Sequence, residues 1–190
     1  FFKYGIRIRP DLIKDLVATP IILETGEPGS GTQKVQLPWY LSPVIYPSQD
    51  ANNPIVTNLD GIKFQFCSPI EPLKNDIKKT ILLQSSQYSK LIGAPFEVSL
   101  RMASEELGPK DFTGSGNYPV AVLLEGKFHS VYENRVLPFK DTSFKNIGKE
   151  NKMIVISDGD VIKKEFLLFQ PKLYIADSAK SFAYFAVKQP

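Results

Sequence analysis

Pro119-Val120-Ala121-Val122-Leu123-Leu124-Glu125 is the stretch whose reading decides the fold. From Val120 to Leu124 the apolar character is unbroken, whereas a strand with one wet face would place a polar residue at every second position. The run reads as a strand covered on both faces. Lys152-Met153-Ile154-Val155-Ile156 is a second such run, and it stops at Ser157-Asp158-Gly159-Asp160. Doubly covered strands are characteristic of parallel sheets flanked by helices. The expected fold is therefore α/β with a mostly parallel central sheet, carrying 119–125 and 152–156 as buried strands. The helices visible in the sequence scarcely supply two layers. The missing cover is expected upstream of Phe1 or from another chain, so the sequence reads as a piece of a larger domain.

Outward from these runs, 127–132 alternates beyond Gly126, and Thr80–Ser85 and Phe96–Leu100 are further strand candidates. Ile62, Phe64 and Phe66 alternate with Lys63 and Gln65, as in a half-buried strand ending at Cys67. The segment 35–46 is apolar and aromatic, but Pro38 and Pro43 each remove a ladder donor. It reads as an edge strand or as two short extended pieces. Leu16–Leu23 is another strand. Phe1–Ile8 reads as a helix end passing through Gly5 into a short strand, and Pro10-Asp11 opens a short segment. Arg101–Leu107 is read as two helical turns ended by Gly108-Pro109. Glycine, proline and polar residues make 24–33, 47–54 and 111–118 loops. Near the end, Leu173–Ile175 is a strand candidate and 178–187 has a helical pattern.

Composition narrows the function classes. The chain has 190 residues, 23 Lys and Arg against 20 Asp and Glu, and a formal net charge of +3. Basic clusters at 74–79 and 163–164 have acidic neighbours, so no dominant basic face for a nucleic acid is expected. One cysteine, Cys67, and one histidine, His129, exclude an intramolecular disulfide and a Cys-rich zinc site. No stretch approaches the roughly 20 apolar residues of a membrane span. The first residue is Phe1 rather than a methionine, so absent anchors carry no weight.

Candidate chemistry is sparse. Asp158-Gly159-Asp160 follows a buried strand, and paired carboxylates at a strand's carboxyl end can hold a cation or orient a sugar hydroxyl. Glu125 ends the other apolar run and is the natural third acid. The competing reading is a tight turn in which an Asp caps backbone N–H groups. Ser85 and Ser86 lie in the polar set 84–89, which suits either hydroxyl hydrogen bonds to a glycan or peptide, or a capping turn. Trp39 and Tyr40, beside prolines, suit a stacking platform, a partner surface together with Tyr46, or core packing. Cys67 with His129 would be needed for a cysteine hydrolase, but nothing around His129 marks it as a base. Neither a dinucleotide fingerprint nor a Walker-type loop occurs. No cofactor, metal site or catalytic residue is expected. The leading reading is a domain that binds and positions, and the alternative is a metal-dependent hydrolase using Asp158, Asp160 and Glu125.

Several stretches, taken in order, carry a resemblance: Lys3–Ile8 with Pro10–Ile13, Leu37–Tyr40 with Pro43, Asn53–Val56 with Asn58-Leu59, Phe64–Phe66, Thr80–Tyr88, Pro119–Gly126 and Met153–Ile162. Their order and content are similar to the GldG family of gliding-motility-associated ABC transporter proteins of the Bacteroidetes. The resemblance covers 1–166 and leaves 167–190 as a tail outside the pattern. It implies a Rossmann-like or amidotransferase-like α/β fold without catalytic residues, whose first βαβ units precede Phe1. It also implies a periplasmic domain tethered to the inner membrane by segments outside this chain, with an ATPase and a permease subunit as partners. Cys67 and His129 stand where that family commonly has other small or polar residues.

Overall fold

The computed structural model describes residues 1–26, 33–47, 53–112, 116–138 and 143–162. The expected strand 173–175, the expected helix 178–187, the basic pair 163–164 and the tail 167–190 lie outside these residues. So do the central parts of the three expected loops.

Ten strands carry the described fold. They are β1 (Ile6–Ile8), β2 (Leu12–Asp15), β3 (Ala18–Thr25), β4 (Gln33–Ile45), β5 (Ile62–Lys63), β6 (Ile70–Pro72), β7 (Lys78–Gln84), β8 (Ser89–Ile92), β9 (Pro119–His129) and β10 (Ile147–Ile156). They form sheets of order β10-β9-β7, β3-β4-β5, β1-β6 and β2-β8. Every pairing is antiparallel. The only helical pieces among the described residues are short 3-10 turns.

The mostly parallel α/β expectation is therefore corrected. The two apolar runs are strands, and β9 is covered on both faces, but β10 runs beside it in the opposite direction, with Lys152 opposite Glu125 and Ile156 opposite Ala121. The cover comes from β layers of the same chain. Ala121 and Leu123 join Ile13 of β2, Ile45 of β4, Phe64 and Leu83 of β7 in one core cluster. Val122 and Leu124 join Ile6 of β1, Ile70 of β6 and Val155 of β10 in another. The expected burial of 152–156 is corrected as well, since among the described residues β10 is an edge strand in which only Val155 of that run is buried. In β9 the apolar run does record that both faces are dry. It does not record whether helices or strands keep them dry.

Local corrections have local causes. β4 is one strand across both prolines, since Pro38 lies opposite Pro20 and Pro43 opposite Ala18, either side of a register shift. The alternation of 62–67 breaks after Phe64. Phe66 has φ of 50° and is 45% exposed, whereas Cys67 is buried. The backbone still follows β4, as Phe64 and Phe66 N–H groups donate to Pro43 and Leu41 carbonyls at 2.8 and 2.9 Å. The candidate strand 96–100 is irregular and leads into a 3-10 turn, Leu100–Ser104. That turn replaces the two helical turns expected at 101–107. Its Met102 and Ala103 seal a third cluster with Trp39 and Leu41. At the start, Gly5 ends a 3-10 turn in the left-handed region at φ 76°, a conformation a side chain disfavours.

β3 and the first half of β4 form an arm. Trp39 and Leu41 are buried, Ile21 and Leu37 are partly so, and Val35 is 37% exposed, giving one apolar face that runs outward from the core. The other face carries the exposed Pro20, Ile22, Gln36 and Pro38, with Lys34 pairing Glu24 at 3.6 Å.

Candidate functional site

β10 delivers Asp158 to its carboxyl end, and the carboxylate there is occupied by backbone. Gln65 N–H donates to Oδ2 at 2.7 Å and Asp160 N–H donates to Oδ1 at 2.8 Å. Asp158 thus shapes its own turn and fastens it to the segment beside β5. Gly159 has no left-handed φ, and a Cβ there would meet nothing within 4 Å, so the backbone does not require glycine. In this antiparallel sheet the end of β10 adjoins the start of β9. There is no common carboxyl edge where ligand-binding groups of a parallel sheet would gather.

Glu125 lies elsewhere. It stands opposite Lys152, while Asp158 follows Ile156, which stands opposite Ala121. Four residues of β9 separate the two positions, about 13 Å at the usual strand rise. Lys152 and Lys78, from the strands on either side, reach Glu125 at 2.7 and 3.1 Å. Their hydrogen bonds, Lys152 first, hold its carboxyl below the ordinary range. The three acids needed for metal-assisted hydrolysis are not brought together. Among the described residues no three His, Cys, Asp or Glu side chains are grouped to hold a metal ion.

Ser85 and Ser86 belong to a buried polar hub whose centre is Asp15, a residue the sequence pattern does not mark. Asp15 is fully buried. Its Oδ1 accepts from Ser86 Oγ at 2.6 Å and from Val17 N–H at 2.9 Å, and its Oδ2 accepts from Ser86 N–H at 2.8 Å. Ser89 Oγ donates to the Ser86 carbonyl at 2.7 Å. A hydroxyl has one proton, so in the 2.7 Å contact between Ser85 and Ser89 the donor is Ser85. Ser85 in turn accepts from Tyr118 N–H at 2.8 Å. The hub joins β2 to the turn between β7 and β8 and to the start of β9. Burial raises the Asp15 pKa against the lowering effect of its donors from Ser86 and Val17.

Lys14, next in sequence, is almost as buried and pairs with Glu105. Its ammonium also lies 5.7 Å from the centre of the Tyr40 ring. In the sequence the adjacent charges Lys14-Asp15 stand between apolar Ile13 and Leu16, a placement that ordinarily reads as surface and so does not single them out.

Trp39 and Tyr40 are core residues, 8% and 6% exposed. Trp39 meets Phe66 edge-on at 6.3 Å, Tyr40 tilts against Phe112 at 6.2 Å, and the Tyr40 hydroxyl donates to the Glu105 carbonyl at 3.4 Å. Of the aromatic trio considered for a partner surface, only Tyr46 is exposed, at 57%. Cys67 is buried in the core, and burial, with Asp158 nearby, pushes its thiol up to about 12. His129 pairs instead with Glu133 at 3.0 Å, and Lys3 reaches the same carboxylate at 3.1 Å. A small, partly open cavity between Val56, Phe64, Leu83, Ile156 and Val161 is lined, among the described residues, by apolar side chains alone, so they offer no group that would orient a polar ligand.

The family model described as "ABC-type uncharacterized transport system" matches residues 1–184. No curated protein and no solved structure matches the chain.

Proposed function

We propose, since the chain belongs to this family of ABC transport auxiliary proteins, that it serves its transport system by binding other proteins rather than by catalysis. The match over 1–184 carries this reading. The fate of the chemistry-bearing side chains supports it: Asp158 is held by two backbone donors, Glu125 by two lysines, and Cys67 is sealed in the core. The partners in this reading are the ATPase and permease subunits of the transporter. Its place is the periplasm, with tethering by segments outside this sequence. The ordered stretches that resemble the GldG family support reading that system as a gliding-associated one.

Co-expression of the full-length protein with the ATPase and permease encoded beside it, followed by affinity capture from detergent extracts, tests the reading. Both subunits should be retained, and deletion of the protein should lower transport. Retention of neither subunit, with transport intact after deletion, would sink it. A cysteine- or metal-dependent hydrolase activity that survives purification and is lost in Cys67→Ala or Asp158→Asn would sink the non-catalytic part.

A further inference from the structure

The arm has an edge that no strand of the described residues takes. β4 pairs with β3 along 33–38 but with β5 only at Val44 and Ile45. Backbone bonds from Phe64 and Phe66 extend that second pairing back to Leu41, where it stops. The register shows which way the unpaired groups point. Pro20 lies opposite Pro38, and neither has an N–H, so this cannot be a pair that exchanges both ladder bonds. Pair types alternate along an antiparallel ladder, so Ile22–Gln36 and Glu24–Lys34 are of the same open type. The backbone N–H and C=O groups of Lys34 and Gln36 therefore point away from β3, where an added strand would meet them.

A groove of about 640 Å³ lies at the foot of the arm, between Leu37, Pro38 and Tyr40 on one side and 103–108 on the other. Its far wall carries Glu105 and Glu106, and among the described residues no Lys or Arg lines it. Glu105 is already tied to buried Lys14. Glu106 is exposed and in no ion pair among the described residues. The groove is thus apolar along β4 and negative on its opposite rim.

We propose that this edge and groove dock an extended segment of a partner protein in which apolar residues alternate with Lys or Arg. The segment adds a strand to β4 through Lys34 and Gln36. Its apolar side chains extend the face of Val35 and Leu37, and its basic ones reach Glu106. The proposal rests on the protein-binding reading above and names the partner's chemistry.

The test uses the 190-residue chain and three end-blocked peptides: one alternating Leu or Val with Lys or Arg, its counterpart with Glu at every basic position, and a basic version with N-methylated alternate amides. The basic peptide should bind, weaken as salt rises, and slow hydrogen exchange at the Lys34 and Gln36 amides. The acidic and N-methylated peptides should bind at least about tenfold more weakly. Glu106→Lys should lower affinity for the basic peptide about fivefold and raise it for the acidic one. Gln36→Pro should abolish binding with the thermal melt little changed, because the Gln36 N–H serves no bond to β3. Equal binding of basic and acidic peptides, full binding by Gln36→Pro, or no binding of the basic peptide would each overturn the proposal. If the subunits are still captured while the peptide fails, the groove is wrong and the transport reading stands. If the peptide binds while neither subunit is captured and transport survives deletion, the groove stands and the transport reading is wrong.

Discussion

Asp15 and Glu125 are both carboxylates held by several donors, yet their acidities move in opposite directions. At Asp15 the donors are a hydroxyl and two backbone amides, all neutral, and burial outweighs them. At Glu125 the donors are two ammonium groups on a wet surface, and the carboxylate becomes easier to ionise. Neutral donors satisfy a buried charge geometrically without replacing the solvation it has lost. Asp15 therefore organises the interior at an electrostatic cost, while Glu125 staples three strands with little at stake.

The strongest way to break this contrast is Asp15→Ala. It leaves Ser86 N–H, Val17 N–H and the Ser86 hydroxyl without their acceptor, and should lower stability by about 3 kcal/mol, read from chemical denaturation. Asp15→Asn, which keeps one acceptor, should cost clearly less. A loss no larger than that of an ordinary surface substitution would mean that the hub does not hold the interior together.

Asp158→Ala comes next. It frees one half-buried and one exposed N–H, and should cost about 0.5–2 kcal/mol, as for a lost cap. Asp158→Asn should fall between it and the wild type. Gly159→Ala, in open space, should leave the melt almost unchanged.

The two carboxylates also separate in an acid titration of stability. Asp15 has a raised folded pKa, so its contribution is fully present below the unfolded value near 3.9 and is lost as pH rises through the folded value. Wild type should therefore gain on Asp15→Asn as pH falls from neutral toward about 4. Glu125 has a lowered folded pKa, so its contribution is present above the unfolded value near 4.3 and is lost as pH falls through the folded one. Relative to Glu125→Gln, wild type should lose ground on acidification. The same slope in both comparisons would contradict the assigned causes.

The smallest effect is Glu125→Gln at neutral pH. Its shift in melting temperature should be slight and should vanish in about 1 M salt, where screening acts within about 3 Å. A salt-independent loss would mean that the triad is more buried than the structure indicates.

Much of the local structure is legible in the sequence. The strand 119–125, the strand 152–156, the turn at Gly5 and the extended character of 35–46 follow from apolar runs, a single glycine and proline placement. The candidate site is legible only as residue types. Asp158 stands out in the sequence, but its partner Gln65 is 93 positions away. Ser85 and Ser86 stand out too, but their organising carboxylate is 71 positions from Ser86. Asp15 itself does not stand out, because a charged residue at a strand end ordinarily marks the surface.

The sequence by itself determined that 35–45, 119–125 and 152–156 are extended and that 119–125 is dry on both faces, because periodicity and proline constraints act over a few residues. Only the tertiary structure decided that the strands run antiparallel, that other strands rather than helices cover β9, and that Asp15 lies inside. Apolar burial is non-directional: Val122 and Leu124 are equally dry against a helix or against β1 and β6. Strand direction and the solvation of a single carboxylate depend on groups brought near only when distant segments meet.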